Sequence, residues 1–165
     1  MAFDFFIKIG DIKGEAQDAK YNGSDGWMDV LAWSWGASNS GSTHVGSGSG
    51  AGKANFQDIS FTKYVDKATP DIMKSVANGK HHATAHLVAR RAGEKPLDYL
   101  VIDIEDAMLT SLSTGGSGGE DRLTENCSLN FDFFKLKYVE QMKDGSAGDQ
   151  PEMSWSIASN AEEQA

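Results

Sequence analysis

The sequence predicts a mainly β protein, a β-barrel or a β-sandwich, with one short α-helix to cover an open side or end of a sheet. Three observations predict it. Apolar and polar residues alternate with period two through most of the chain, as in half-buried strands, whose successive side chains face opposite ways. Polar Gly/Ser/Asn/Asp turns punctuate those runs, and 18 glycines stand against 3 prolines. Only one segment has both the period and the end signals of a helix.

Residues 4–9 read as a strand with Phe5, Ile7 and Ile9 on one face and Asp4, Phe6 and Lys8 on the other. Gly10-Asp11 turns it, and a polar stretch with the turn pair Asn22-Gly23 follows. Residues 29–35 are the next expected strand. Alternation puts Leu31, Trp33 and Trp35 on one face as an apolar anchor, and Val30, Ala32 and Ser34 on the other, small and nearly smooth. At Gly36 the strand breaks into a Gly/Ser loop running to Lys53, too poor in apolar residues to bury itself. Residues 55–64 resume strand character, with Ile59 and Phe61 inward and Ser60 and Thr62 outward.

The helix begins at Thr69, a good N-cap, with Pro70 at the first helical position and Asp71 in the first turn. Ile72, Met73 and Val76 recur at helical spacing, and Asn78-Gly79 supplies a left-handed stop. Strands are expected at 83–91, 97–108 and 123–138, with a flexible Gly loop from Thr114 to Asp121 between the last two. In the last of these strands Cys127, Leu129, Phe131 and Phe133 share one face, opposite Asn126, Ser128, Asn130 and Asp132. Residues 153–157 form a final strand, and 158–165 should fray.

At 165 residues the chain is one domain with one core. A net charge of −9 argues against a nucleic-acid partner, since neutralising phosphates needs surplus Lys and Arg. Cys127 is the only cysteine, which excludes an intrachain disulfide and a thiolate metal cluster; it reads as a small buried hydrophobe. No run reaches the ~20 apolar residues of a membrane span. The N-terminus lacks the basic and apolar regions of a secretory signal, so export by the general route is not expected.

Catalytic readings are weak. The loop from Gly46 to Ala54 suggests a phosphate loop but fails at Ser47 and Ala54, where the pattern requires Gly and a hydroxyl residue. His82 and His86 have the spacing to share a strand face, yet a metal site needs a third ligand from elsewhere, Asp103 being the candidate. Asp103, Glu105 and Asp106 fit an exposed, solvated face better than paired acid/base carboxylates. No serine sits in a nucleophile elbow. No enzyme, metal or cofactor is expected. The mixed charges Glu120, Asp121, Arg122 and Glu125 beside a Gly loop read as a solvated turn or as a subunit or ring-to-ring salt-bridge contact, where charge sets register. Other readings are a monomeric β-barrel module that takes a ligand or glycan through its Gly loops, and a metal hydrolase around His82, His86 and Asp103.

Several stretches, in order, resemble the haemolysin-coregulated protein (Hcp) family. They are Phe6-Ile7-Lys8-Ile9-Gly10-Asp11-Ile12-Lys13-Gly14-Glu15, Asp29-Val30-Leu31-Ala32-Trp33-Ser34-Trp35-Gly36, Asp58-Ile59-Ser60-Phe61-Thr62-Lys63-Tyr64-Val65-Asp66-Lys67-Ala68-Thr69-Pro70, and the segment from Ser113 to Asn126, with Trp155 near the end. The resemblance implies an inner-tube subunit of the type VI secretion system, a β-barrel of two packed antiparallel sheets with one short flanking α-helix, similar in fold to phage tail-tube proteins. It implies hexameric rings that stack into a tube inside a contractile sheath, with effector proteins carried and protected in the lumen. The implied partners are further copies of the chain, effectors, the sheath and a spike protein at the tip. Assembly in the cytoplasm followed by type VI export is the implied itinerary. Under this resemblance Val30, Ala32 and Ser34 are expected to line the lumen, with Ser34 the cargo contact, while Trp33 and Trp35 anchor the wall. Ser42, Thr43, His44, Val45, Glu120, Asp121 and Arg122 are then expected to make ring-stacking or subunit contacts. The sequence departs from the commoner family pattern at 19–26, 80–85 and 132–135, and no appended toxin domain is expected.

Overall fold

The computed structural model describes residues 2–41 and 53–162. Its strands are β1 (Phe3–Ile9), β2 (Trp27–Val30), β3 (Ala32–Ser34), β4 (Ala37–Ser38), β5 (Asn55–Phe56), β6 (Ile59–Tyr64), β7 (His81–Arg91), β8 (Leu97–Gly115), β9 (Thr124–Tyr138) and β10 (Glu152–Ser156). The helix α1 (Thr69–Asn78) lies between β6 and β7. Eight strands form one sheet in the order β2-β1-β7-β8-β9-β6-β3, with β10 also on β9, while β4 and β5 pair apart. β2 and β3 stand at opposite ends of that order but are consecutive in the chain. The Leu31 N–H between them donates to the Thr62 carbonyl at 2.8 Å. The sheet therefore curls until its ends meet, a nearly closed barrel in keeping with the expected fold class.

Ile7, Ile9, Met28, Ile59, Phe61, Leu87, Ile102, Ile104 and Leu129 fill the barrel. α1 adds Ile72 to this core and packs Val76 against it. Gly79 ends the helix in the left-handed region at φ 65°, its N–H donating to the Ser75 carbonyl, as the sequence predicts. The N-terminal expectation is corrected. Ala68 occupies the cap position and Thr69 is already helical, because the Thr69 hydroxyl is engaged elsewhere, accepting from the Asp66 N–H and donating to Glu125. No helix among the described residues is long and apolar enough to cross a membrane.

Two irregularities shift the alternation. Residues 29–35 are not one strand: Val30 pairs with Phe5 on β1, Ala32 pairs with Thr62 on β6, and the chain changes partner at Leu31. Val30, 6% exposed, consequently points into the core beside Met28, while Leu31 is 43% exposed. The second irregularity is a kink shared by β7, β8 and β9. Inward positions there pass from Ala85, Ile104 and Phe134 to His82, Ala107 and Phe131, three residues apart instead of two. Asp106, at φ 53°, occupies the kink. Phe134, rather than the expected Phe133, joins the main core. β8 also runs through Gly115, beyond the expected end at Met108.

Outside the barrel, the segment between β1 and β2 straps across β1, β7 and β8. Ala16 and Tyr21 join Phe6 and Val88 in a second core, flanked by Trp27 and Val101. Arg90 clasps Asp18 at 2.6 and 3.0 Å, reaches Asp4 at 3.2 Å, and stacks over the Phe6 and Tyr21 rings. The Tyr21 hydroxyl donates to Asp98 at 2.6 Å. Gly14 is required where the strap crosses β2, because a Cβ there would overlap the Trp27 carbonyl.

Candidate functional site: a neutral hydroxyl wall

β3, β6, the first half of β9 and the last third of β8 lie side by side. In one cross-strand row Ser34 pairs with Ser60, Ser60 with Ser128, and Ser128 with Ser111; in the next, Ala32 pairs with Thr62, Thr62 with Asn126, and Asn126 with Ser113. Directly opposed residues share a face, so the two rows stand together on the outside of the barrel. The residues between them, Trp33, Phe61, Cys127 and Leu112, pack toward the core. The result is a patch of small, uncharged side chains on a chain of net charge −9. A shallow open hollow of about 390 Å³ lies over it.

The rows are tied by their own hydrogen bonds. Thr62 Oγ1 donates to Asn126 Oδ1 at 2.7 Å, and the Ser128 hydroxyl meets those of Thr110 and Ser111 at 2.6 and 2.5 Å. At the margin Asp58 accepts from Thr110 and Asn130, both at 2.8 Å. Cys127 lies behind the wall, its thiol pushed up to about 12, first by burial and then by the Glu125 charge, so it stays protonated and unreactive.

Among the described residues the wall has two bare edges. β7 covers β8 from Leu97 to Met108, and among the described strands none pairs with that side of β8 beyond Met108. On the far side, β3 pairs with β6 alone among the described strands. Bare edges expose backbone donors and acceptors, which proteins normally blunt with charge or cover.

Of the sequence-predicted residues, Ala32 and Ser34 lie on this wall, while Trp33 and Trp35 pack against the core beneath it. Trp35 Nε1 donates to the Gln57 carbonyl at 2.9 Å. Val30 is corrected: the bend at Leu31 turns it into the core, away from Ala32 and Ser34. Glu120, Asp121 and Arg122 occupy an exposed turn, with the Arg122 guanidinium 3.8 Å from the centre of the Tyr64 ring; Glu125 is corrected, being turned inward on β9 and buried rather than part of that surface cluster. Ser42, Thr43, His44 and Val45, and the phosphate-loop glycines Gly46 and Gly48, lie outside the described residues.

The histidines do not converge. His82 is buried and meets Ser75 Oγ at 3.1 Å through Nε2, whereas His86 stands on the outer face, 2.7 Å from Asp103. The shared kink separates them, correcting the single face that alternation suggests. Among the described residues no group of three or more His, Cys, Asp or Glu is placed to hold a metal.

Sequence reasoning missed two features. Ser60, Thr62, Asn126 and Ser128 are read as outward, but only the strand order brings them beside Ser34. Lys63 and Glu125, both 0% exposed, form an ion pair inside the barrel, joined by Asp66. Their inward positions were available, in step with Phe61 and Cys127.

The family model described as type VI secretion system effector, Hcp, matches residues 6–138. The chain is 51% identical to the protein hcp1 of Pseudomonas aeruginosa over 164 residues, covering 98% of this chain and 99% of that one. It belongs to the Hcp family. Solved structures agree. A type six secretion system protein superposes with TM-score 0.90 at 27% identity, covering 98% of this chain and all of the other. Hcp1 from Salmonella typhimurium does so with TM-score 0.80 at 34% identity, over 98% and 99% of the two chains. Family membership makes this a type VI secretion protein.

Proposed function

We propose that the chain is the inner-tube subunit of a type VI secretion system and acts as structure rather than as catalyst. The observation that carries this reading is the wall, an uncharged face with a bare edge on each side. Six copies set edge to edge continue that sheet around a ring, a heterologous contact that closes on itself. Each bare edge is then screened by its neighbour, across interfaces that need about 1,000 Å² or more of buried area. The wall lines the lumen, where Ala32 and Ser34 face effector cargo. Rings stack into the tube, with Glu120, Asp121 and Arg122, and Ser42, Thr43, His44 and Val45, as candidate contacts to neighbouring subunits or rings. A sheath outside and a spike at the tip complete the partners. The subunit assembles in the cytoplasm and leaves through the type VI machinery.

Native mass measurement with class-averaged images of purified protein tests the ring: six-fold rings are expected, and a stable monomer overturns it. Ser34→Gln fills the lumen face with a bulkier side chain. It is expected to leave rings intact and reduce retention of co-expressed cargo; undiminished retention removes Ser34 from cargo contact.

A further inference from the structure

The buried Lys63–Glu125 pair is a costly arrangement. Nζ of Lys63 bonds the Tyr64 carbonyl at 2.8 Å, Asp66 Oδ1 at 2.9 Å and Glu125 Oε1, and Thr69 Oγ1 donates to that same Glu125 oxygen at 3.0 Å. Glu125 Oε2 is buried without a hydrogen-bond partner. Desolvating both ions offsets much of their attraction, and apolar replacements of similar volume are often as stable. The pair therefore needs a role other than net stability.

Register supplies one. Lys63 and Glu125 are direct cross-strand partners, 62 residues apart in sequence, so no tight turn sets how β6 and β9 align. A slip of one residue is forbidden, because it would turn Ile59 and Phe61 outward. A slip of two residues keeps every side chain on its face. Slipped one way, Phe61 meets Leu129 and Ile59 meets Phe131; slipped the other way, Ile59 meets Cys127, so these contacts stay apolar against apolar. Its penalty falls on the charges: Lys63 would stand against Cys127 or Leu123, and Glu125 against Phe61 or Val65.

We infer that the Lys63–Glu125 pair is a register pin, which aligns β6 on β9 and so brings the hydroxyl rows of the wall into step. Thr69 and Asp66 extend the pin to the start of α1, so the helix is set by the same contact. This inference rests on the tube reading only for why wall alignment matters; the pin itself is a property of the single chain.

Disulfide trapping in a Cys127→Ala background tests it. Ser60→Cys is combined in turn with Ser128→Cys, the native partner, and with Asn126→Cys or Asn130→Cys, the partners after a two-residue slip. Peptide mass spectrometry reads the cross-links. With Lys63 and Glu125 present, the 60/128 link is expected to dominate. In Lys63→Met/Glu125→Met the chain is expected to stay folded. One slipped link should then rise about tenfold or more against the native one, the ratio matching a register preference of about 1.4 kcal/mol. Glu125→Gln, which retains the shape and a hydrogen bond to Lys63, is expected to restore the native pattern. An unchanged 60/128 pattern in the apolar double variant overturns the pin. So does failure of that variant to fold, which would assign the pair to stability instead. Native register without rings would count against the tube reading alone.

Discussion

The barrel presents two outer faces of one sheet, and they are finished in opposite ways. On β1, β7 and β8 the strap lays Tyr21 and Ala16 over Phe6 and Val88, and its charges are consumed internally: Arg90 takes Asp18 and Asp4, and Asp98 takes Tyr21 and Lys20. On β3, β6, β9 and the end of β8 nothing is laid over the sheet among the described residues. The side chains there are small and neutral, and no described strand pairs with either edge. A face already covered by a segment of its own chain offers little to a second molecule. A face of short hydroxyls, with unpaired backbone at its margins, loses little when another copy abuts it. Under the proposed ring, copies meet at the edges of the wall, while the strap is an intramolecular device.

The contrast breaks most sharply at the wall edges. Lysine is a natural edge blocker, so Ala32→Lys or Ser113→Lys alone, and above all together, is expected to abolish ring formation and leave folded monomers, seen as a full shift in native mass. Ala32→Glu with Ser113→Lys should restore rings at low salt, because opposed charges then meet where two copies join. Rings that survive the double lysine variant would place the subunit contact elsewhere.

Strap variants should do the reverse. Arg90→Ala strands two carboxylates and removes a guanidinium stacked on two rings, an expected loss of roughly 2–4 kcal/mol in denaturant unfolding. Gly14→Ala pushes a methyl into the Trp27 carbonyl and should cost about 1–3 kcal/mol. Both are expected to keep ring formation at protein concentrations and temperatures where the monomer remains folded. The Arg90 guanidinium also holds the Asp18 carboxyl well below the usual carboxylate range. A carboxyl with a depressed folded-state value contributes stability above its unfolded value of about 4 and loses it as pH falls further. The Arg90→Ala variant should therefore lose less stability than the parent between pH 4 and lower pH.

Much of this contrast was legible in the residues, and the misses share a cause. Alternation identified the strands, the Trp33 and Trp35 anchors and the outward Ser34, Ser60 and Thr62. It failed where backbone irregularities reset the phase, at Leu31 and at the Asp106 kink, which moved Val30 inward and parted His82 from His86. Neither break carries a Gly or Pro to announce it. The hydroxyl rows were half legible: each strand showed its polar side, but their convergence depends on pairings between segments far apart in sequence. The Lys63–Glu125 pairing went unseen because charged residues are read outward by default, Glu125 with the surface charges beside the Gly loop. Only the cross-strand register discloses that each has the other.

The smallest expected effect concerns a group that belongs to neither face. His82 joins β7 to α1 through Ser75, and burial holds its basicity below the ordinary histidine value, helped by Lys80 and His81 and opposed by Asp11. The folded chain therefore favours the neutral ring, while the unfolded chain takes up a proton as pH falls below about 6.5. Stability present above that pH is lost as pH drops toward the lower folded value, with a slope of at most about 1.4 kcal/mol per pH unit from this single group. Denaturant midpoints from pH 7.5 to 5 should thus decline more steeply in the parent than in His82→Asn, which retains an amide to meet Ser75. Ring formation should not follow that decline, because the wall rows carry no titratable side chain and Asp58 stands only at their margin. Were assembly to weaken in parallel with His82 protonation, the wall would not be the independent surface that its contrast with the strap implies, and the joint at α1 would have to be counted part of it.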